Sequence, residues 1–238
     1  MKIVCVIPTY NEKENISLLI KKIQQLYPDI HILVVDDNSP DGTGKIVEKM
    51  KNEHLDVLHR SKKEGLGRAY ISGFQKVLKD GADIIIQMDA DLSHDPLYIK
   101  DFLKHIKEND VVIGSRYIDG VSIVHWPLSR LIISCLGNVY ARVMTGMKIL
   151  DLTGGFKCMK RGALKSIDFR KIKTNGYGFQ VEMDYAFWKN GMKIKEIPII
   201  FYKRIRGSSH MTKRIILEAM LKTPFFRFKR YRKIVVKK

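Results

Sequence analysis

Cysteine is scarce in this chain of 238 residues: its three copies, Cys5, Cys135 and Cys158, lie far apart and form no CxxC pair. That argues against a structural zinc site and against the disulfide framework of a small secreted domain. Long apolar runs are missing as well. A bilayer span needs about 20 consecutive apolar residues, and the nearest candidate, 128–150, is interrupted by Arg130, Arg142 and Lys148. The opening "KIVCVIP" reads as a strand and lacks the cleavage region of a signal peptide. No internal repeat, low-complexity tract or long linker divides the chain. A reduced, cytoplasmic setting fits these absences.

Acid is also in short supply. Lys and Arg number 43 against 25 Asp and Glu, a net charge of +18. Between Phe201 and Lys238 stand thirteen Lys or Arg and one acid, Glu218, so this end carries +12 and the first 200 residues only +6. Such a basic end suits a phosphate-rich partner, either nucleic acid or an anionic membrane surface. No recognised RNA- or DNA-binding motif accompanies it. A nucleic-acid module, or a dead scaffold that used only its basic tail, would leave Asp37, Asp89 and Asp91 without a task.

What the sequence does have is alternation. Strand-like apolar runs at Ile3–Ile7, Ile30–Val35, Val57–Leu58, Ile84–Met88 and Val111–Ile113 are separated by amphipathic segments such as 13–26. This pattern predicts an α/β fold, a mostly parallel sheet flanked by helices. One domain over 1–222 is expected, followed by a basic aromatic tail at 223–238. Further helices are expected from Pro127, around 179–189 and over 212–222, with "KIKEIPIIFYK" as a strand. The helix from Pro127 has an apolar face that fits either the core or a membrane interface.

Ligands of parallel α/β sheets sit beyond the carboxyl ends of the strands. "PTYNEKEN", "DDNSPDGTG" and "DADLSHDP" fall there after the first, second and fourth strands, so one site is expected from several loops. A dinucleotide oxidoreductase needs a glycine fingerprint after the first strand, and "PTYNEKEN" is not one. Asp89-Ala-Asp91 places two carboxylates on one side of a strand end. Their repulsion is relieved when a cation lies between them, which favours Mg²⁺ or Mn²⁺ held jointly with substrate phosphates. Asp95 is better suited to capping the helix that begins at Pro96.

In order along the chain stand "IPTYNEKENI", "VVDDNSPDGT", "GLGRAYISGF", "MDADLSHDP", "GSRY", "WPLSR", "DLTGGF" and "RIRGSS", spread over residues 7–209. Together they resemble the family-2 glycosyltransferases of GT-A fold, in particular the dolichyl- or polyprenyl-phosphate mannose synthases that lack C-terminal transmembrane helices. The resemblance implies that Pro8, Tyr10, Glu12, Val35 and Asp37 hold the nucleoside of a nucleotide-sugar donor. It implies that Asp89, Ala90 and Asp91 serve the metal and diphosphate, with Asp91 the leading metal ligand. Many relatives carry Gln where this chain has Ser93, which leaves the third metal contact to water. Arg116, Arg130, Ser134 and Arg206 match positions around the acceptor phosphate, and Arg116 and Arg206 also border the donor.

The expected reaction is transfer of mannose from GDP-mannose, or alternatively glucose from UDP-glucose, to polyprenyl phosphate. Asp89, Asp91 and Arg116 are the expected catalytic residues. A phosphate monoester is largely dianionic near neutrality, so the acceptor needs no protein base, and a single displacement would invert the anomeric carbon. Asp151 is expected to orient the acceptor or the sugar hydroxyls. Peripheral attachment to an anionic membrane on its cytoplasmic face is expected through the 128–147 face and through Phe225, Phe226, Phe228 and Tyr231. A small membrane subunit would be compatible with this arrangement.

Overall fold

A computed structural model describes residues 1–202 and 213–232. Arg206, with the rest of "RIRGSS", and residues 233–238 lie outside the described residues. Seven strands form the main sheet: β1 (Ile3–Thr9), β2 (His31–Asp36), β3 (Leu55–His59), β4 (Ile84–Gln87), β5 (Val111–Ser115), β7 (Lys157–Lys160) and β8 (Ile194–Pro198). Their spatial order is β3-β2-β1-β4-β7-β5-β8. All run parallel except β7, which pairs antiparallel to both β4 and β5. The α/β architecture expected from the alternation is present.

Period-two alternation sorts each central strand between two cores. Val4 and Val6 of β1 and Leu33 and Val35 of β2 enter one core, built with α3 (Leu66–Lys79) and α7 (Gly176–Lys189). Cys5, Ile7, Ile32 and Val34 enter the other, against α1 (Ile16–Leu26), α2 (Thr43–Met50) and α4 (Ile99–His105). Strands covered on both faces read as continuous apolar runs, which is why β1, β2 and β4 stand out in the sequence. The approach of α3 is close. A Cβ on Gly73 would come 2.6 Å from a Val6 methyl and 2.9 Å from one of Val35.

Two sequence expectations change here. "KIKEIPIIFYK" is not one strand: β8 ends at Pro198, and Phe201–Tyr202 forms β9, paired with β6 (Ile123–Val124) in a separate two-stranded sheet. The aromatic tail is not all surface. After α8 (Lys213–Lys222) the segment Thr223–Phe228 makes a short 3₁₀ helix. Phe226 and Tyr231 are buried in the α7 core, while Phe225 and Phe228 remain exposed.

The helix expected from Pro127 is α5 (Leu128–Thr145), whose two faces differ sharply. Asn138, Ala141 and Thr145 are buried, whereas Leu128, Ile132, Leu136, Val139 and Val143 are exposed, Leu136 to 63%. The apolar stripe therefore faces outward rather than into the core. Among the described residues no helix is long and apolar enough to cross a membrane.

Because Gly73 sits against two packed valines, Gly73→Ala is expected to destabilise the fold by about 1–3 kcal/mol through overpacking. Urea denaturation of the variant beside the wild type measures this.

Candidate active site

The carboxyl ends of β1, β2, β4 and β5 open into one cleft of about 370 Å³. Pro8, Tyr10, Glu12, Asp37, Asp89, Ala90, Asp91, Arg116 and Arg130 all line it. Val35 does not; it is fully buried in the core below. Ser134 sits outside the lining, where its Oγ accepts a 2.8 Å hydrogen bond from the Tyr117 hydroxyl. Arg206 lies outside the described residues.

At the β2 end, two adjacent acids do different work. Asp36 turns inward and accepts from Thr9 Oγ1 at 3.1 Å and Ser39 Oγ at 2.6 Å. Asp37 accepts from the backbone amides of Glu64 and Gly65, both at 3.1 Å, and pairs with Arg60. It thereby fixes the loop that feeds α3. From that loop Lys63 places Nζ 3.6 Å from the centre of the Tyr10 ring, a cation–π contact at the cleft. Glu12, nearly buried, accepts from Asn15 Nδ2 at 2.7 Å.

The acidic pair ending β4 is held from below. Tyr70 of α3 donates to Asp89 Oδ1 at 2.8 Å. Burial, and then the neighbouring Asp89, raises the Tyr70 pKa well above its ordinary value, so the phenol keeps the proton it donates. The Asp89 amide donates to His94 Nδ1 at 3.1 Å, which places the proton of the neutral imidazole on Nε2. Burial lowers the His94 pKa and favours that neutral form. Ser93, buried, donates both its amide (3.1 Å) and its hydroxyl (2.5 Å) to Asp91 Oδ1. Ser93 thus orients Asp91. Asp95 caps the following 3₁₀ turn by accepting from Leu97 N, as the sequence suggested.

Does this pair suit a divalent ion? Asp89 and Asp91 stay partly exposed and line the cleft, and Asp89 forms no salt bridge among the described residues. No group of three or more His, Cys, Asp or Glu that could hold a metal occurs among the described residues. A two-carboxylate oxygen set is incomplete without substrate oxygens, which is how Mg²⁺-type ions are commonly held. The residues fit.

Across the cleft, Arg116 is almost fully buried and locked in place. Its Nε and Nη2 grip the two oxygens of Asp151 at 2.7 and 2.6 Å, and Nη2 also donates to Thr153 Oγ1 at 2.7 Å. Burial opposes both charges, and each partner more than offsets it. The Arg116 pKa is raised and that of Asp151 lowered. Asp151 is fully buried, does not line the cleft, and so positions Arg116 rather than a substrate. This corrects the expectation that Asp151 would touch the acceptor or sugar. Arg130 stacks over Trp126 with its guanidinium carbon 3.9 Å from the ring centre.

Several lining residues escaped the sequence reading. Thr153, Gly155, Asn175, Gly176, Tyr177 and Gln180 come from the segments flanking β7 and from the start of α7. "DLTGGF" was a visible signal for the first two. Asn175–Tyr177, where the chain enters α7, carries no polar cluster or motif of its own, although Asn175 Oδ1 is left without a hydrogen-bond partner beside the cleft.

A doubly covered sheet with an acidic pair at one strand end and a buried arginine in the same cleft suits metal-assisted transfer of a group from a phosphorylated donor. Residues 4–168 match the family described as glycosyl transferase family 2, and the chain belongs to it. The sheet and its helices are those of the GT-A fold. The chain is 41% identical to an undecaprenyl-phosphate mannosyltransferase of Micrococcus luteus, over 93% of this chain and 92% of that protein. It is 39% identical to a polyprenol monophosphomannose synthase of Mycolicibacterium smegmatis, over 91% of this chain and 83% of the relative. Glucosyl-3-phosphoglycerate synthase of Mycobacterium tuberculosis, solved with Mn²⁺, UDP and glucosyl-3-phosphoglycerate, superposes with a TM-score of 0.69 at 18% identity. The match covers 95% of this chain and 79% of that one, and it is a likeness of fold.

Removing the Asp151 charge strands Arg116 in a buried site, so Asp151→Asn is expected to cost about 3–5 kcal/mol, measured by denaturation. The folded pKa of Asp151 lies below its ordinary 3.8. Its stabilisation is therefore complete above that value and lost as pH falls through the lower folded value. The variant should lose this acid-side slope, and raising the pH should not restore its activity.

Proposed function

We propose that the chain transfers mannose from GDP-mannose to a polyprenyl phosphate, with inversion at the anomeric carbon. The observation that carries this reading is the presence, in one cleft, of the Asp89–Asp91 pair and the arginines 116 and 130. The names of the two relatives at about 40% identity support the acceptor class and the sugar.

Asp91 and Asp89 would hold a Mg²⁺ or Mn²⁺ ion, supported by the Mn²⁺ in the solved neighbour. That ion, when bound, supplies positive charge against the nucleoside diphosphate that leaves. The chain does the rest. Pro8, Tyr10, Glu12 and Asp37 seat the nucleoside beside the loop that Asp37 anchors. Arg130, held flat on Trp126, binds the acceptor phosphate through the paired bonds that guanidinium geometry suits, and Arg116, whose Nε and Nη2 are taken by Asp151 and Thr153, adds its charge and Nη1. Arg206 serves the same phosphate. One phosphate oxygen attacks C1 of the sugar as the bond from C1 to the diphosphate oxygen breaks, with no proton to remove. Fixed charges cost no reorganisation at that moment.

The lipid must reach the cleft from a bilayer. The outward apolar residues of α5 are joined in exposure by Leu217, Met220 and Leu221 of α8, and the two helices meet where Tyr140 of α5 donates to the Met220 carbonyl at 2.8 Å. Phe225 and Phe228 extend this surface among basic residues, a composition suited to an anionic interface. The protein is read as peripheral on the cytoplasmic face, with a small membrane subunit an allowed partner and residues 223–238 contributing to contact.

Two measurements test this. Protein, Mn²⁺ or Mg²⁺ and polyprenyl phosphate are incubated with labelled GDP-mannose or labelled UDP-glucose. Label should enter organic-extractable lipid from GDP-mannose, and chelation or Asp91→Ala should lower the rate by at least about a hundredfold. Transfer from UDP-glucose alone would replace the donor; transfer from neither would overturn the reading. Sedimentation with anionic liposomes at low salt is the second. The wild type should pellet and the Ile132→Asp/Leu136→Asp variant should not, whereas a wild type that stays in solution contradicts membrane attachment.

A further inference from the structure

One buried carboxylate has no part in the chemistry above. Glu182, in the middle of α7, is fully buried yet accepts five hydrogen bonds. Its Oε2 takes the amides of Lys173 (2.9 Å) and Thr174 (3.0 Å) and the Thr174 hydroxyl (2.7 Å). Its Oε1 takes Lys229 Nζ (2.6 Å) and the Tyr231 hydroxyl (3.1 Å). A buried charge persists only when it is paired and hydrogen-bonded, and here the partners come from two segments far apart in sequence, 173–174 and 229–231.

The first segment, 173–174, leads directly into Asn175, Gly176 and Tyr177, which line the cleft. It also abuts the start of α3. A Cβ on Gly67 would stand 2.9 Å from the Thr174 carbonyl, and one on Gly65 would stand 3.3 Å from the Asn175 side chain. Gly65 in turn gives its amide to Asp37. The second segment follows α8. It is tied to α5 by Arg227 Nη2, which donates to the Val143 carbonyl at 3.1 Å, and to the core by the Asp168 amide bonding the Tyr231 carbonyl at 2.8 Å.

We infer that Glu182 is a positioning residue through which the C-terminal segment braces the cleft wall. Lys229 and Tyr231 hold its carboxylate, and the carboxylate holds the turn that sets Asn175–Tyr177 against the Asp37 loop. The exposed Phe225 and Phe228 lie in the same short segment as Lys229. Contact at the membrane-facing surface and the shape of the donor pocket therefore share one structural element. This inference rests on the reading of the cleft as a nucleotide-sugar site.

The test is calorimetric titration of the full chain with GDP-mannose and Mn²⁺, repeated for Lys229→Met, Lys229→Arg, Tyr231→Phe and Lys229→Met/Tyr231→Phe. Steady-state kinetics and a thermal midpoint accompany each protein. The double variant should bind the donor about tenfold more weakly, within the range seen for coupled positions, with KM for the donor raised and kcat nearly unchanged. Tyr231→Phe should show part of that loss, and Lys229→Arg, which keeps the ion pair, should bind like wild type. Tyr231→Phe loses a single hydroxyl and keeps the ring in place if the double variant does not fold. Variants that melt earlier but bind the donor as wild type does would overturn the inference and leave the site reading intact. A wild type that binds no nucleotide sugar would overturn the site reading and the inference with it.

Discussion

The pairing of Arg116 with Asp151 is the contact on which the arginine side of this cleft depends. Arg116 follows directly from β5, whereas Asp151 sits in the loop between α5 and β7, and both are buried. Thr153 accepts from the same guanidinium, and Asn138 of α5 bonds both Thr153 Oγ1 and the Leu152 amide. Glu196 of β8 receives the amides of Leu150 and Asp151. One ion pair thus joins two strands, a loop and a surface helix. A buried pair of this kind is weak evidence for stability, since desolvation opposes the attraction. What it supplies is direction: a charged group whose orientation is fixed before any substrate arrives.

The aspartate side is built on the same logic with the signs reversed. Tyr70 donates to Asp89 and Ser93 to Asp91, and both neutral donors orient the carboxylates. A lysine or arginine in those places would have stabilised the empty protein and weakened its hold on a cation. Among the described residues, Arg116 and Arg130 line the same cleft, where the proposed acceptor phosphate would bind. This arrangement explains why so basic a protein concentrates acid at the end of its most apolar strand.

The sequence made the central strands and most of the cleft legible because both follow from short-range chemistry. A strand buried on both faces is a continuous apolar run, and the residues after it must lie at one sheet edge, so Pro8, Asp37 and Asp89 could be grouped while far apart. What stayed hidden depends on long-range contact. β7 is four residues, Lys157–Lys160, and no period distinguishes it; its lysine at 157 is paired with Asp184 inside the fold. Tyr231 and Phe226 read as surface aromatics among basic residues, and only α7 makes them core. Asp151 was visible as an acid near the site, but its partner was not, and so its role was misread. The outward stripe of α5 was visible as amphipathic; which way it faced was not.

The central claim is that a nucleotide sugar is bound through a divalent ion at Asp89 and Asp91, with its sugar directed toward Arg116. Crystals of the chain grown with Mn²⁺ and GDP-mannose, measured at a wavelength where manganese scatters anomalously, test it most directly. The account predicts one strong anomalous peak contacting Asp91, with Asp89 beside it and the donor diphosphate completing the coordination. A nucleotide sugar seated in the cleft with no manganese at the two aspartates would contradict it.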